Sequence, residues 1–152
     1  MKRILFTAAL ITTCGCQAGN TGTGYTVVSQ DQMTHFTGRA IYTTEQGAYV
    51  GELKDGRRHG YGVHYAKNGT AMAGHWENDT FKGKGVMIST DINSVSVGRF
   101  DGAQLIGNGV ITFEGDAAQG DFKQGSAMPE NVNCYRAGVK IDCSDSKLYG
   151  TP

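Results

Sequence analysis

The chain has 152 residues, and its 14 lysine and arginine residues balance 14 aspartate and glutamate residues, so the formal net charge is zero. This length favours one small domain. A neutral chain is not expected to bind nucleic acid, because that function needs a basic face to neutralise phosphates. Glycine is the outlier, with 23 residues against 2 prolines. The two together stay below the share typical of low-complexity chains, so the glycines are expected to hold structural positions.

The N-terminus has the pattern of a secretory signal. A lysine and an arginine follow the first methionine, and residues 4–11 form an apolar run that is too short to span a bilayer permanently. The next stretch, "ITTCGCQAGN", resembles the lipobox that ends at the lipid-modified cysteine of bacterial lipoproteins. Cys16 is the predicted lipidation site, and Cys14 is the alternative. Cleavage after Ala18, which would release a soluble secreted protein, is a further alternative.

The residues after Cys16 bear on where the protein goes. Small and polar residues fill the first half of residues 17–35, and no strong helical period is present, so this stretch is predicted to be a flexible tether. Gln17 stands where an aspartate would stand in the lipoprotein sorting rule, which resembles an outer-membrane address. We therefore expect a cell-envelope protein in the outer membrane, facing the periplasm or the surface. A secreted or periplasmic protein is the alternative.

The glycines of the middle of the chain follow a period. Four lead glycines recur at intervals of 23, 24 and 22 residues, namely Gly51, Gly74, Gly98 and Gly120. A Gly-x-Gly pair begins nine residues after each of the first three, at Gly60 and Gly62, Gly83 and Gly85, and Gly107 and Gly109. A large apolar residue stands two positions after each lead glycine: Leu53, Trp76, Phe100 and Phe122. A fixed period of this length marks a repeat architecture, and each unit is predicted to be a strand, a turn and a second strand.

The C-terminal region holds the other two cysteines. Cys134 and Cys143 bracket "CYRAGVKIDC", in which apolar and polar residues alternate as in a tight hairpin. In an exported protein, two cysteines at this separation are expected to form a disulfide. The spacing differs from the C-x-x-C motif of redox-active pairs, which makes a redox or metal-binding role the less favoured interpretation.

The repeating pattern resembles the MORN repeat (membrane occupation and recognition nexus), whose signature is roughly Tyr-x-Gly-x-Trp/Phe, a turn, then Gly-x-Gly and a hydrophobic strand. The stretches "YVGELKDGRRHGYGVHY", which begins at Tyr49, and "MAGHWENDTFKGKGVMI" match well. "SVGRFDGAQLIGNGVITF" keeps the glycines and Phe100, but Ser96 replaces the aromatic residue. "AQGDFKQG" supplies only the first strand of a fourth unit. The resemblance covers about residues 47–125.

The resemblance implies an all-β fold, an elongated single-layer antiparallel meander of stacked hairpins. The predicted segments are the signal peptide (1–16), the tether (17–35), the repeat sheet (36–128) and a capping segment with the disulfide-linked hairpin (129–152). Glycine inside a strand weakens it. The resemblance explains why the chain accepts this: each glycine leaves room for a large side chain, Gly74 for that of Trp76, and the Gly-x-Gly pairs let the sheet twist and curve.

Candidate chemistry is sparse. His59, His64 and His75 lie within 17 residues, and adjacent strands could bring them together as zinc ligands. No cysteine or carboxylate recurs at ligand spacing, so we interpret them as partly exposed sheet histidines and predict no metal site. The sequence contains no nucleophile elbow, phosphate loop or zincin motif. We therefore expect no enzyme activity, no catalytic residue and no cofactor.

The expected function is protein binding. The residues that follow the lead glycines should line the face opposite the large apolar side chains, and they form the candidate binding face: Glu52, His75, Arg99 and Asp121. We predict that the sheet binds or scaffolds an unknown envelope protein and that the N-terminal lipid holds it at the membrane. A secreted protein that binds lipid head groups or a host or partner protein is the alternative, although clustered basic residues would then be expected.

Overall fold

The computed structural model describes residues 20–21, 24–126 and 128–149. They form one twelve-stranded sheet in which each strand lies beside its neighbours in the chain. The strands are β1 (Asn20–Thr21), β2 (Tyr25–Val27), β3 (Gly38–Thr44), β4 (Gly47–Lys54), β5 (Arg57–Ala66), β6 (Thr70–Glu77), β7 (Thr80–Ser89), β8 (Ser94–Asp101), β9 (Gln104–Phe113), β10 (Asp116–Phe122), β11 (Glu130–Arg136) and β12 (Val139–Ile141). The predicted all-β meander is confirmed. The one departure from antiparallel pairing is β2, which runs parallel to β3.

A row of glycines crosses the sheet at right angles to the strands. The register places the glycines directly opposite one another from β4 to β10, so the row consists of Gly51, Gly62, Gly74, Gly85, Gly98, Gly109 and Gly120. Residues opposite one another on adjacent strands point to the same side of a sheet. The repeat in the sequence is therefore one continuous strip of the sheet that carries no side chain.

Each pair of glycines in this row makes room for one large side chain. A Cβ at Gly51 would lie 2.5 Å from the hydroxyl oxygen of Tyr49. A Cβ at Gly74 would lie 3.0 Å from the Phe81 ring and 2.6 Å from a backbone carbonyl of β7. The expectation that Gly74 makes room for Trp76 is therefore wrong, because the ring of the facing strand, Phe81, occupies that space.

The first glycine of each Gly-x-Gly pair has a different role. Gly60 has a φ of +60°, a left-handed conformation that side-chain-bearing residues rarely adopt. It lies in a bulge, where the β4–β5 register shifts between Gly51 and Glu52. Similar shifts follow in β6–β7 and β8–β9, once per repeat. Bulges of this kind bend the bulged strand and increase its local twist, which is the role that the resemblance implies for the Gly-x-Gly pairs.

The described part of residues 17–35 differs from the predicted flexible tether. The N–H of Val28 donates to the carbonyl of Ile41 at 3.0 Å, and its side chain is buried. A one-turn helix, α1 (Gln30–Met33), follows, and the side chain of Met33 packs against the core. The second half of this stretch has apolar residues to bury, which holds it against the sheet.

The C-terminal hairpin adds two strands to the sheet. β11 pairs with β10 and β12 pairs with β11, so the hairpin covers an edge that β10 would otherwise expose. Cys134 and Cys143 form the predicted disulfide, with their Cα atoms 5.1 Å apart. The bond joins β11 to a 3-10 turn (Cys143–Asp145).

A buried carboxylate holds this turn in place. The side chain of Asp116, 1% exposed, accepts two hydrogen bonds of 2.8 Å from the guanidinium of Arg136. It also accepts one of 2.8 Å from the backbone N–H of Lys147. These bonds, first of all those from Arg136, hold the pKa of Asp116 well below its usual range. We refer to this arrangement as the Asp116 clamp.

No helix in the described part of the chain is long and apolar enough to cross a membrane.

Candidate functional site

The core lies on one side of the sheet, which we call the aromatic face. Its central side chains are between 0% and 3% exposed: Tyr49, Leu53, Trp76, Phe81 and Phe100. The rings touch in series along the sheet, both within and between units, with centroid distances of 6.0 Å from Tyr49 to Trp76, 5.1 Å from Trp76 to Phe81 and 4.9 Å from Phe81 to Phe100. Tilted and edge-to-face contacts of this kind stabilise a core beyond simple burial. The large residues after the lead glycines, Phe122 included, all lie in this core.

A groove runs beside this core on the same face. Its floor is one register row across β5 to β9, formed by His64, Met72, Met87, Ser96 and Ile111. We call it the methionine groove. Two adjoining clefts lie along it, of about 400 Å³ over β5–β7 and about 560 Å³ over β7–β10. Methionine side chains are flexible and polarisable, so a groove floored by them can adapt to an apolar ligand.

Arg58 forms one wall of the methionine groove. Its guanidinium carbon lies 4.3 Å from the centre of the Trp76 ring. Its Nε donates a 3.0 Å hydrogen bond to Asp79. Burial, and then the positive charge of Arg58, lower the pKa of His64 on the groove floor. The lowered pKa favours the neutral imidazole of His64, which adds a largely apolar surface with two polar nitrogens to the groove.

The opposite side of the sheet carries a second apolar surface, which we call the valine face. One register row crosses β3 to β9 as Ile41, Val50, Val63, Ala73, Val86, Val97 and Val110. The next row, two residues away, is Thr43, Ala48, Tyr65, Ala71, Ile88, Val95 and Thr112. Neither row contains a charged residue. The exposed fractions of Val50, Val63 and Val97 are 39%, 48% and 45%, so the face is open to solvent.

The predicted binding residues border the valine face. Glu52 lies on β4, His75 on β6, Arg99 on β8 and Asp121 on β10, and all four point to the side opposite the core, as predicted from the alternation. The side chain of His75 contacts the ring of Tyr61 edge-on at 5.5 Å. The carboxylate of Asp121 accepts amide hydrogen bonds of 3.4 Å and 3.2 Å from two asparagines. These residues form a mixed-charge border rather than a patch of one sign.

The three histidines do not meet. His64 lies on the aromatic face, where its ring contacts Trp76 at 6.0 Å. His59 and His75 lie on the other side of the sheet, because they alternate with core-facing neighbours. Within the described ranges, no group of three histidine, cysteine or carboxylate residues is arranged to hold a metal ion. The candidate lipidation residues, Cys16 and Cys14, lie outside the described residues.

Sequence reasoning missed two core residues, the methionine groove and the valine face. Phe81 and Leu105 each stand two positions before a Gly-x-Gly pair, and Arg58 holds the equivalent position in the first unit. The register pairs Phe81 with Trp76, Leu105 with Phe100 and Arg58 with Leu53. This position is therefore a further marker of the repeat.

Part of the chain also matches a known repeat family. Residues 49–71 and 73–91 match the MORN repeat. These two matches are the first two glycine units, and the third and fourth continue the same strand register beyond them. No curated protein matches the chain.

Proposed function

We propose that this protein, whose residues 49–71 and 73–91 match the MORN repeat, is a non-catalytic binding module of the cell envelope that holds an apolar segment of another protein. The observation that carries the proposal is the methionine groove. An apolar concavity of several hundred Å³, lined by adaptable side chains and a few polar groups, is the usual form of a binding site. A groove that crosses five strands, spaced about 4.8 Å apart, is long enough for a short peptide segment.

The chemistry of the groove favours a protein ligand. Its floor supplies methionine and isoleucine side chains, and His64 and Ser96 supply hydrogen-bonding groups. A lipid head group would need free basic residues. Arg58, near the start of β5, already binds Asp79 and stacks on Trp76.

Export and anchoring are part of the proposal. An N-terminal signal pattern that ends at Cys16, with Cys14 as the alternative, supports a lipid-anchored protein of the outer membrane. The Cys134–Cys143 disulfide is consistent with an oxidising compartment. The described strands begin at Asn20, so a lipid on Cys16 would hold the sheet close to the bilayer surface.

Capture of the partner tests the groove. The full chain, carrying an affinity tag at its C-terminus, would be expressed in its native envelope and isolated under mild conditions. Met87→Lys should lose the captured protein, because a charge would enter the groove floor. Val139→Lys is the matched control, since Val139 is 66% exposed on β12, away from the groove. Equal capture by both variants, with unchanged thermal unfolding, would reject the groove as the binding site.

Labelling with palmitate tests the anchor. The full chain would be expressed in a Gram-negative host with labelled palmitate and compared with Cys14→Ser and Cys16→Ser. Loss of label in Cys16→Ser alone supports the proposed site, and loss in Cys14→Ser alone moves it to the alternative. An unlabelled parent found in the periplasm or medium would reject lipid anchoring and leave a secreted protein.

A further inference from the structure

We infer that two copies of this chain pack their valine faces together, as a symmetric dimer whose twofold axis runs close to β6. The inference goes beyond the proposed partner binding, because it uses the side of the sheet opposite the methionine groove. A dimer of this form would present two grooves, one on each outer side.

The first support is the size of the valine face. Seven strands spaced about 4.8 Å apart span about 34 Å. The two rows of the valine face, together with the border row that holds Glu52, His75 and Arg99, span about 20 Å along the strands. The resulting area of about 700 Å² approaches the roughly 800 Å² per partner that stable interfaces bury. The two uncharged rows alone span about 34 Å by about 13 Å, or about 450 Å², which lies within the range of the largest apolar patches on monomeric proteins. The valine face is therefore large enough to be an interface.

The second support is the character of the two central rows. Fourteen positions on seven adjacent strands include no charged residue. The β-branched side chains stand in two adjacent pairs, Val50 with Val63 and Val86 with Val97, on either side of Ala73. Such rows are the inner surface of a β-sandwich, where a second sheet packs about 10 Å away. In the described part of the chain no second layer covers them. Another sheet with the same two rows is the occupant that fits.

The third support is the order of charges in the border row, which favours a second copy over an unrelated sheet. β6 is the middle strand of the seven. A twofold axis along it brings β4 of one copy opposite β8 of the other, and therefore Glu52 opposite Arg99, twice. Within residues 24–126, neither side chain takes part in an ion pair. The same operation brings Tyr61 of β5 opposite Lys84 of β7, a geometry suited to a cation–π contact.

The centre of the proposed interface has the smallest side chains. Ala71 and Ala73 stand on β6, where the two copies cross. Small residues there allow the sheets to approach closely. Packed sheets differ by about 30° in strand direction because of their twist. Glu52 lies two strand spacings from β6, so this angle displaces it by about 5 Å relative to Arg99 of the other copy. The long side chains of Glu52 and Arg99 can span that shift.

Sedimentation of the purified full chain over about 1–100 µM tests the dimer. The parent should sediment at twice the chain mass. Glu52→Arg and Arg99→Glu should each raise the dimer dissociation constant by at least about tenfold. Each variant places two like charges opposite each other, and the twofold axis repeats this contact at a second place. The double variant E52R/R99E should restore the dimer. Lys140→Glu, on the exposed β12, is the matched charge-reversal control and should have no effect.

Each arm can overturn the inference. A monomeric parent at the highest concentration rejects the dimer. A dimeric parent with no effect of either single variant, or no recovery in the double variant, rejects the axis at β6. Val63→Lys should abolish the dimer while Val139→Lys keeps it, and an unaffected Val63→Lys rejects the valine face. A monomer that still captures its partner through Met87 rejects only this inference and leaves the proposed function standing.

Discussion

The guanidinium of Arg58 lies 4.3 Å above the ring of Trp76, one strand and one repeat away. The same side chain donates hydrogen bonds of 3.0 Å and 3.1 Å to the carboxylate and backbone carbonyl of Asp79. One residue of the first unit thus binds both the core ring and the turn of the second. Because this contact joins two units, it couples neighbouring repeats, and its loss should weaken that coupling.

Truncating Arg58 should therefore weaken the sheet. We expect Arg58→Ala to lower the free energy of unfolding by about 1–2 kcal/mol, since it removes the stacked guanidinium and its charged hydrogen bonds. The stability of Arg58→Lys should lie between that of the parent and that of Arg58→Ala, because lysine keeps the charge but lacks the planar fork. Urea unfolding measures both. The neighbouring exposed Arg57→Ala should stay within about 0.5 kcal/mol of the parent, and an effect as large as that of Arg58→Ala would contradict the assignment.

A branched side chain in the glycine row should be more damaging. We expect Gly74→Val to lower the free energy of unfolding by more than about 2 kcal/mol, because its Cβ would meet the backbone of β7 and the ring of Phe81. Thermal unfolding measures the loss. Gln119→Val, which places the same side chain on the exposed side of β10, should change stability by about 0.5 kcal/mol or less.

The contact between Gly85 and the ring of Phe81 can be tested separately. Gly85→Ala should clash with the tip of the Phe81 ring, and Phe81→Leu should relieve part of that clash. The double variant should then be more stable than the sum of the two single changes implies. Strict additivity in this cycle would show that Phe81 is not the side chain for which Gly85 makes room.

Removing the disulfide should loosen the C-terminal hairpin. We expect Cys134→Ala with Cys143→Ala to lower the free energy of unfolding by about 2–3 kcal/mol, the loop-closure contribution of a loop of about ten residues. Reduction of the parent with a thiol should have a similar effect in the same urea titration. A parent whose unfolding is unchanged by reduction would contradict a stabilising role for the bond.

The Asp116 clamp should make stability depend on acid. The pKa of Asp116 is lowered in the folded protein, so its contribution is present above the unfolded value of about 3.9 and is lost as the pH falls towards the folded value. Unfolding of the parent and of Asp116→Asn should be compared between about pH 7 and pH 2. The difference between them should be largest near neutral pH and shrink below about pH 4. A difference that stays constant across this range would contradict the clamp.

The strand order, and the places of the glycines within the strands, could be predicted from the sequence because both depend on local rules. The lead glycines and the residues two positions on, such as Trp76, keep one register, and an antiparallel meander follows from short turns. The sequence did not predict which side chain fills the space above a glycine. That depends on the facing strand, so Phe81 was overlooked in favour of Trp76.

The candidate site was predicted less well for a similar reason. Alternation placed Glu52 and Arg99 on the side opposite the core, which the structure bears out. The valine rows and the methionine groove arise only when seven strands are laid side by side, so no window of a single strand contains them. Residues 17–35 were assigned to a tether from their polar first half, although Val28 and Met33 in the second half bury against the sheet.

The single-layer form also governs how the protein opens. Each central strand contacts mainly the two strands beside it, so a strand can detach only after the one outside it has gone. Amide hydrogens in β6 and β7 should thus exchange most slowly, and protection should decline towards both edges. The chain fastens those two ends differently, with Val28 and α1 at one edge and the disulfide and Asp116 at the other. Reducing conditions or acid would start the peeling from the C-terminal end alone.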